Sequence, residues 1–218
     1  MDVITRIDEA RRECNVLEHP FYQRWSAGEL SAEELGFYAG EYRHAVVALA
    51  QASESAAVKV GEQRRAGLER HAAEERSHIE LWDEFAGVAS EDAPRRTPLS
   101  ETEQCAQAWT AGEDALEHLA VLYAIEAAQP EIAKTKLEGL VERYGYSSEG
   151  PTVEYFELHS TLDIEHARQA RELIAELMSS DENEAHDQAE RMVSRAKAAL
   201  QGNWALLDGV DGQFAQAA

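Results

Sequence analysis

The stretch YFELHSTLDIEHARQA, residues 155–170, places polar side chains where a helix that enters a protein core normally carries apolar ones. At about 100° per residue, His159, Asp163 and His166 lie within about 60° of one another, on a stripe that includes Phe156. Burying two imidazoles and a carboxylate costs several kcal/mol unless a hydrogen-bonded network or a metal ion compensates them. The stretch therefore predicts a helix whose buried face is a polar network or a metal site.

Three other segments, 36–52, 69–85 and 115–130, repeat this pattern. In each of them a helical stripe of apolar or aromatic residues is interrupted by an inward glutamate, and the second segment adds histidines. We therefore expect four helices to direct ligand groups into one core. The predicted ligand set is Glu41, Glu75, His78, Glu126, His159, Asp163 and His166.

This mixture of carboxylates and imidazoles is typical of helix bundles that hold two iron or manganese ions. Structural zinc commonly uses cysteine, and calcium uses oxygen ligands without histidine, so iron is the first choice and manganese the second. Each residue alone also has an ordinary explanation, because core glutamates and histidines are often satisfied by hydrogen bonds. Glu74 could take the place of Glu75 in the stripe.

Composition limits the class of protein further. The chain has 218 residues, rich in helix-forming types, which suits one all-α domain over residues 1–218. Its formal net charge of −22 disfavours nucleic acid and anionic membranes as partners. The N-terminal sequence lacks an apolar signal, no segment is long enough to span a membrane, and Cys14 and Cys105 form no metal-binding pattern. We expect a cytoplasmic protein that acts on a small molecule, and we expect a homodimer.

Capping signals and prolines divide the chain into about seven helices. Capping boxes are predicted at Ser31 with Glu34 and at Ser100 with Glu103, and a break is possible near Gly112. The helices are predicted over residues 3–17, 31–60, 62–85, 101–128, 130–144, 151–179 and 181–207.

The chain resembles the heme-oxygenase-like diiron oxidases and oxygenases, within the TenA, PqqC and heme-oxygenase-like superfamily. The resemblance rests on LEHPFYQRW (17–25), on SAEELGFYAGEYRHAV (31–46), and on three helical glutamates followed by a closing H-x-x-x-D-x-x-H. It implies an all-α bundle that activates dioxygen, the co-substrate, at two iron ions to oxidise a small organic substrate.

The resemblance also implies a division of the ligand set between two metal ions. Glu75 would bridge them, with His78, Glu126 and His159 at one ion and the remaining ligands at the other. One departure concerns the spacing in the second helix, because several members have a histidine seven residues after the bridging glutamate, where this chain has Trp82. The shorter spacing to His78 is similar to that of the fatty-acid decarboxylase branch. The additional inward residue His71 would be a hydrogen-bond donor to a ligand, or a ligand itself.

A second branch, the self-sacrificing 4-aminobenzoate synthases, resembles the chain at two further positions. Its members have a lysine about ten residues after the third glutamate and a tyrosine four residues before the first closing histidine. Lys136 and Tyr155 match these positions and are the predicted catalytic residues. An exposed lysine and a core aromatic residue would give the same pattern.

Other functions remain open within the same fold. A TenA-like thiaminase needs a nucleophilic cysteine on the helix with Glu126, which has none, and a heme oxygenase needs an axial histidine, for which His19 is poorly placed before a proline. A cofactorless PqqC-like oxidase would use the histidines for proton transfer. A non-catalytic protein with a buried polar network is the alternative outside the enzymes.

Overall fold

The computed structural model describes residues 2–214, and these form ten α-helices, two short 3₁₀ turns and no strands. The all-α prediction is confirmed. The helices are α1 (Val3–Glu13), α2 (Pro20–Ala27), α3 (Ala32–Lys59), α4 (Glu62–Ala89), α5 (Ser100–Thr110), α6 (Ala115–Glu126), α7 (Gln129–Glu142), α8 (Pro151–His159), α9 (Leu162–Leu177) and α10 (Glu182–Phe214).

The sequence predicted about seven helices, and two of the three additional ones lie near the N-terminus and around Gly112. The first predicted helix ends at Glu13, and a new helix starts at Pro20, where the ring nitrogen of His19 accepts a hydrogen bond from the Phe21 amide. The proline opens a helix there because its missing N–H would be unpaired at that position anyway. The possible break near Gly112 is present, with Asp114 capping α6.

The third additional helix comes from a break inside the H-x-x-x-D-x-x-H motif, where a continuous helix over 151–179 was predicted and is wrong. α8 ends at His159 and α9 begins at Leu162. The hydroxyls of Ser160 and Thr161 donate to backbone carbonyls three residues earlier, which gives the chain an alternative to continued helical bonding. Asp163 therefore lies in the first turn of a separate helix.

The two predicted capping boxes have different outcomes. The box at Ser31 and Glu34 is present, with both reciprocal hydrogen bonds. The box at Ser100 is wrong, because α5 begins at Ser100 itself and its N-cap residue is Leu99. The Leu99 amide donates instead to the Glu41 carboxylate of α3 at 2.9 Å. A carboxylate from another helix thus replaces the local cap.

Helix α6 forms the centre of the packing. All of its residues from Leu116 to Glu126 are buried, and it packs against α3, α9 and α10. Helix α4 packs along α3 and against α8. This arrangement brings the inward faces of α4, α6, α8 and α9 toward one another. Within residues 2–214, no helix combines the length and the apolar character needed to cross a membrane.

Candidate metal centre

Seven buried residues from four helices form what we call the metal cluster. Helix α4 contributes three of them at spacings of four and three residues, which puts them on one helical face. The other four come from the end of α6, the end of α8 and the start of α9, and all seven are at most 7% exposed. The metal cluster comprises His71, Glu75, His78, Glu126, His159, Asp163 and His166.

Glu75 lies at the middle of the metal cluster. Its Oε1 atom is 3.3 Å from His78 Nδ1, 3.5 Å from His166 Nδ1 and 3.6 Å from His71 Nε2. Potential ligand atoms of His71, Glu75, Glu126 and His166 all lie within 4.8 Å of one another, and those of Glu75, His78 and His159 do the same. Glu75 belongs to both groups, so its carboxylate has the position that a bridging ligand needs.

The metal cluster contains many polar atoms without hydrogen-bond partners. Both carboxylate oxygens of Glu126 and of Asp163 are buried and unpartnered, as is Nε2 of His159. Each unpaired buried group of this kind destabilises the folded protein by several kcal/mol. A site with this many of them needs a compensating charge. A cation bound by these oxygens and nitrogens would supply it, and the donor set suits iron.

The hydrogen bonds around His159 favour its use as a ligand. Its Nδ1 atom is 2.6 Å from the backbone carbonyl of Tyr155, which selects the tautomer with Nε2 free. Burial lowers the pKa of His159 to about 4, so the imidazole is neutral near pH 7. A neutral imidazole with its second nitrogen anchored is the form that binds metals.

Two other histidines carry protons in the metal-free protein. Burial lowers the pKa of His71, but the Glu126 and Glu75 carboxylates outweigh it and raise this pKa to about 10. Burial also lowers the pKa of His166, but Asp163 and Glu75 outweigh this effect and raise the pKa to about 11. These protons neutralise the carboxylates, and a metal ion would displace them.

The carboxylates of the metal cluster differ in their protonation. Burial would raise the pKa of Glu75, but its contacts with His166, His71 and His78 hold this pKa well below its usual range. Burial raises the pKa of Asp163 to about 7, and the charges of Glu126 and Glu75 add to the rise. Glu75 is therefore the anion that organises the cluster.

Glu41 and Glu74 belong to neither of the two groups of potential ligands. One carboxylate oxygen of Glu41 accepts hydrogen bonds from the Leu99 amide and, at 2.5 Å, from the Thr102 hydroxyl at the start of α5. The Glu74 side chain is 53% exposed, and its Oε2 atom is 3.1 Å from His166 Nε2. The structure also groups Glu126 with His71 and His166, where the resemblance had put it with His78 and His159.

A buried lysine lies among aromatic rings beside the metal cluster. Lys136 is 1% exposed, and its Nζ is 4.2 Å from the centroid of the Tyr42 ring. The rings of Tyr22, Tyr38 and Trp82 follow at 5.5 Å, and Phe156 at 5.9 Å. We call Lys136 and these five rings the Lys136 cage. Burial lowers the pKa of Lys136 to about 7, so a large fraction of the amines is neutral at that pH.

Tyr155 joins the Lys136 cage to the metal cluster. Its ring stacks on the ligand candidate His159, with centroids 3.9 Å apart and an angle of 24°. On its other side it meets Trp82 at 4.9 Å, and Trp82 contacts Tyr42 at 5.1 Å. A continuous series of ring contacts thus leads from the candidate ligand His159 to Lys136.

The model of one protein family, described as iron-containing redox enzymes, matches residues 38–202. This range contains the whole metal cluster and Lys136. The chain belongs to this family.

Relatives with similar sequences are named 4-aminobenzoate synthases. The one from Chlamydia muridarum is 32% identical over 208 residues, which cover 90% of this chain and 87% of the relative. The one from Nitrosomonas europaea is 26% identical, with coverage of 94% and 89%. These similarities support an oxidoreductase, as the sequence predicted.

Solved structures show which fold the chain has. A TenA homologue from Pseudomonas syringae superposes with a TM-score of 0.82 at 17% identity, covering 96% of this chain and 91% of that one. A domain of unknown function with a heme oxygenase-like fold, from Shewanella denitrificans, has a TM-score of 0.79 at 18% identity, with coverage of 99% and 95%. The predicted heme-oxygenase-like fold is confirmed.

Sequence reasoning found part of the Lys136 cage. Helical periodicity places Tyr38, Trp82 and Phe156 on inward faces, but the approach of Tyr22 and Tyr42 to Lys136 was not predicted. Tyr38 and Tyr42 are four residues apart and share a helical face, which is a usable signal. Tyr22 comes from the unpredicted helix α2, and its hydroxyl is 2.8 Å from that of Tyr38. Only the tertiary packing brings these helices together.

Proposed function

We propose that this protein is a metal-dependent, dioxygen-using enzyme that makes 4-aminobenzoate from its own side chains. The observation that carries the proposal is the Lys136 cage, in which a buried amine lies among tyrosine rings beside a candidate iron site. The product is a benzene ring substituted at opposite positions, one of them by nitrogen. A tyrosine ring has that substitution pattern. Its Cα–Cβ bond would break, with Cβ oxidised by dioxygen to the carboxyl carbon, and the nitrogen of Lys136, released by breaking its Cε–Nζ bond, would replace the ring hydroxyl, which leaves as water.

We propose two iron ions as the cofactor, with manganese as the alternative at either position. Glu75 would be shared, and the nearby imidazoles and carboxylates of the metal cluster would complete the two sites. Iron held by such ligands with open positions supplies the redox chemistry that dioxygen activation requires. The unpartnered oxygens of Glu126 and Asp163 support this proposal.

The chain's own residues would prepare the reaction in three ways. The backbone carbonyl of Tyr155 fixes the orientation of His159, and the aromatic rings exclude water from the amine. Burial holds a large fraction of Lys136 in its neutral form at pH 7, which leaves a lone pair on the nitrogen. The tyrosine rings that lie near that amine are Tyr22, Tyr38 and Tyr42, whereas the predicted residue Tyr155 lies beside the metal cluster.

Isotopic labelling tests this function directly. Protein would be produced with tyrosine carrying ¹³C in its ring and with lysine carrying ¹⁵N at Nζ, loaded with Fe(II) without oxygen, and then exposed to oxygen and a reductant. We expect 4-aminobenzoate with both labels, at no more than one molecule per chain and without added substrate. Peptide mapping of the spent protein would identify which tyrosine is lost and whether Lys136 has changed.

Two results would contradict this proposal in different ways. Unlabelled product that forms only with an added precursor would mean that the enzyme oxidises an external small molecule over many turnovers. No product and no change of protein mass in iron-loaded protein would exclude the self-sacrificing reaction. A Lys136→Met variant is the matched control, because it should bind iron and form no product.

A further inference from the structure

We propose that His71 is a metal ligand in this chain, and that Glu41 fixes the start of α5 instead of binding metal. This inference rests on the proposed metal centre and assigns one of its ligands. It departs from the ligand pattern that the sequence resembles, in which the first of three helical glutamates binds metal and no histidine is required at position 71.

The position of His71 supports a direct contact with the metal. His71 is 7% exposed, and its Nε2 atom is 2.9 Å from Glu126 Oε1 and 3.6 Å from Glu75 Oε1. Its ring centroid is 4.1 Å from that of His166, on the opposite helix α9. These four side chains can direct one ligand atom each toward a common point, since those atoms are all within 4.8 Å of one another.

The orientation of His71 follows from its place on α4. It lies four residues before Glu75 and seven before His78, so all three share one helical face. Its Nε2 atom has no hydrogen-bond partner, although Glu126 Oε1 lies 2.9 Å away. A nitrogen and an oxygen that both lack partners and lie 2.9 Å apart are suited to bind one cation between them.

Glu41 is engaged in a different task. Helix α5 has no cap from its own N-cap side chain, and the positive end of the helix faces Glu41. Two donors, the Leu99 amide and the buried Thr102 hydroxyl, hold one carboxylate oxygen, so binding a metal through that oxygen would break both bonds. The other oxygen is unpartnered, but within residues 2–214 it joins no group of potential ligands.

Replacing Glu41 by His71 in the ligand set changes the charge of the site. A ligand set with Glu41 would contain four carboxylates, whereas the set with His71 contains Glu75, Glu126 and Asp163 as its acids. An imidazole in place of a carboxylate gives a more nitrogen-rich environment, which favours iron over manganese. The position near His71 is therefore expected to prefer iron.

The experiment compares iron binding in four proteins. Wild-type, His71→Gln, Glu41→Gln and His118→Gln proteins would be loaded with Fe(II) without oxygen and desalted. Iron per chain would be measured by elemental analysis, and the iron environment by Mössbauer spectroscopy. His118 is a matched control, because it is 1% exposed with both ring nitrogens unpartnered, yet it lies two helical turns from Glu126.

We expect the wild-type, Glu41→Gln and His118→Gln proteins to hold two irons with the same spectrum. A glutamine at position 41 can still accept both hydrogen bonds through its carbonyl oxygen. In His71→Gln, one iron should be lost or its affinity should fall by a factor of at least about 10–100. His71→Phe, which removes the ligand but keeps a ring, provides a second test if the glutamine variant does not fold.

Two outcomes would overturn the inference while leaving the proposed function intact. One is an unchanged iron content and spectrum in folded His71→Gln or His71→Phe protein. The other is the loss of an iron from folded Glu41→Gln protein. Absence of bound iron and manganese in the wild type would instead contradict the proposed function itself.

Discussion

The metal cluster and the Lys136 cage both bury ionisable groups, but they balance charge in opposite ways. In the metal cluster, carboxylates and imidazoles are within 4 Å of one another and share protons, and several of their atoms still lack partners. Lys136 forms no ion pair with any residue of the 2–214 segment and is surrounded by rings. A bound cation would balance the charges of the metal cluster. Lys136, in contrast, can lose its buried charge only by losing a proton.

This difference indicates how the two regions divide the work. The metal cluster has donor atoms to spare and is built to take up positive charge. The Lys136 cage keeps water and carboxylates away, so the amine stays available as a neutral nitrogen. Tyr155 and Trp82 connect the regions through ring contacts of 3.9 and 4.9 Å. Variants of the metal cluster should therefore leave the low pKa of Lys136 unchanged, and variants of the Lys136 cage should leave iron binding unchanged.

The largest effect is expected from Glu75→Ala, which removes the residue common to both ligand groups. We predict that both irons are lost and that dioxygen-dependent product formation disappears. Glu74→Ala is the matched control, since Glu74 is the adjacent acid but is 53% exposed, and it should keep both irons. Elemental analysis of the desalted proteins measures the difference. Equal iron contents in the two variants would show that Glu75 is not the shared ligand.

Lys136→Met should separate the two regions. Methionine has a similar length and no amine, so we predict unchanged iron content and complete loss of 4-aminobenzoate. The variant should also be more stable than the wild type at pH 6, because it removes a protonated amine that is buried without a counter-ion. Iron analysis, product detection and urea unfolding test these three points. Product formation by Lys136→Met would exclude Lys136 as the source of nitrogen.

The pH dependence of stability should reveal the same lysine. The pKa of Lys136 is about 7 in the folded protein and near 10.5 when the chain unfolds, so between these values the unfolded chain holds more protons. The contribution of Lys136 to stability therefore rises with pH in that range, by about 1.4 kcal/mol per pH unit, and is smallest below pH 7. The difference in unfolding free energy between wild type and Lys136→Met, measured by urea titration at pH 7, 8 and 9, isolates this slope. A constant difference would contradict it.

Tyr155→Phe tests the connection between the regions and should have the smallest effect. The hydrogen bond to His159 comes from the backbone carbonyl of Tyr155, so the variant keeps that bond and the ring stack. We predict an unchanged iron content and a lower yield of product per chain, measured by mass spectrometry. Yield equal to that of the wild type would assign the Tyr155 hydroxyl a purely structural role.

Helical periodicity predicted most of the metal cluster because every candidate ligand lies on a helical face that points inward. Periodicity identifies a face but not what the face meets, so the hydrogen bond that Glu41 accepts from the Leu99 amide at the start of α5 was not predicted. The same reasoning did not predict the contact of His71 with Glu126 at 2.9 Å. The break after His159 was missed because it depends on the hydroxyls of Ser160 and Thr161, a local effect that an apolar stripe does not report.

The Lys136 cage was less accessible to sequence reasoning for a physical reason. Its rings come from α2, α3, α4 and α8, which are far apart in sequence, and α2 was not predicted at all. A lysine in a helix is exposed in most proteins, so only its burial shows that it is unusual. The resemblance to the synthases indicated Lys136, and the packing around it supplies the physical reason for its low pKa.

Anomalous X-ray diffraction at the iron edge, from crystals of protein loaded with Fe(II) without oxygen, tests the central claim most directly. The account predicts two iron peaks separated by the Glu75 carboxylate, one bound by His71, Glu126 and His166 and the other by His78 and His159. No peak within the metal cluster, in crystals that contain folded iron-treated protein, would contradict the account.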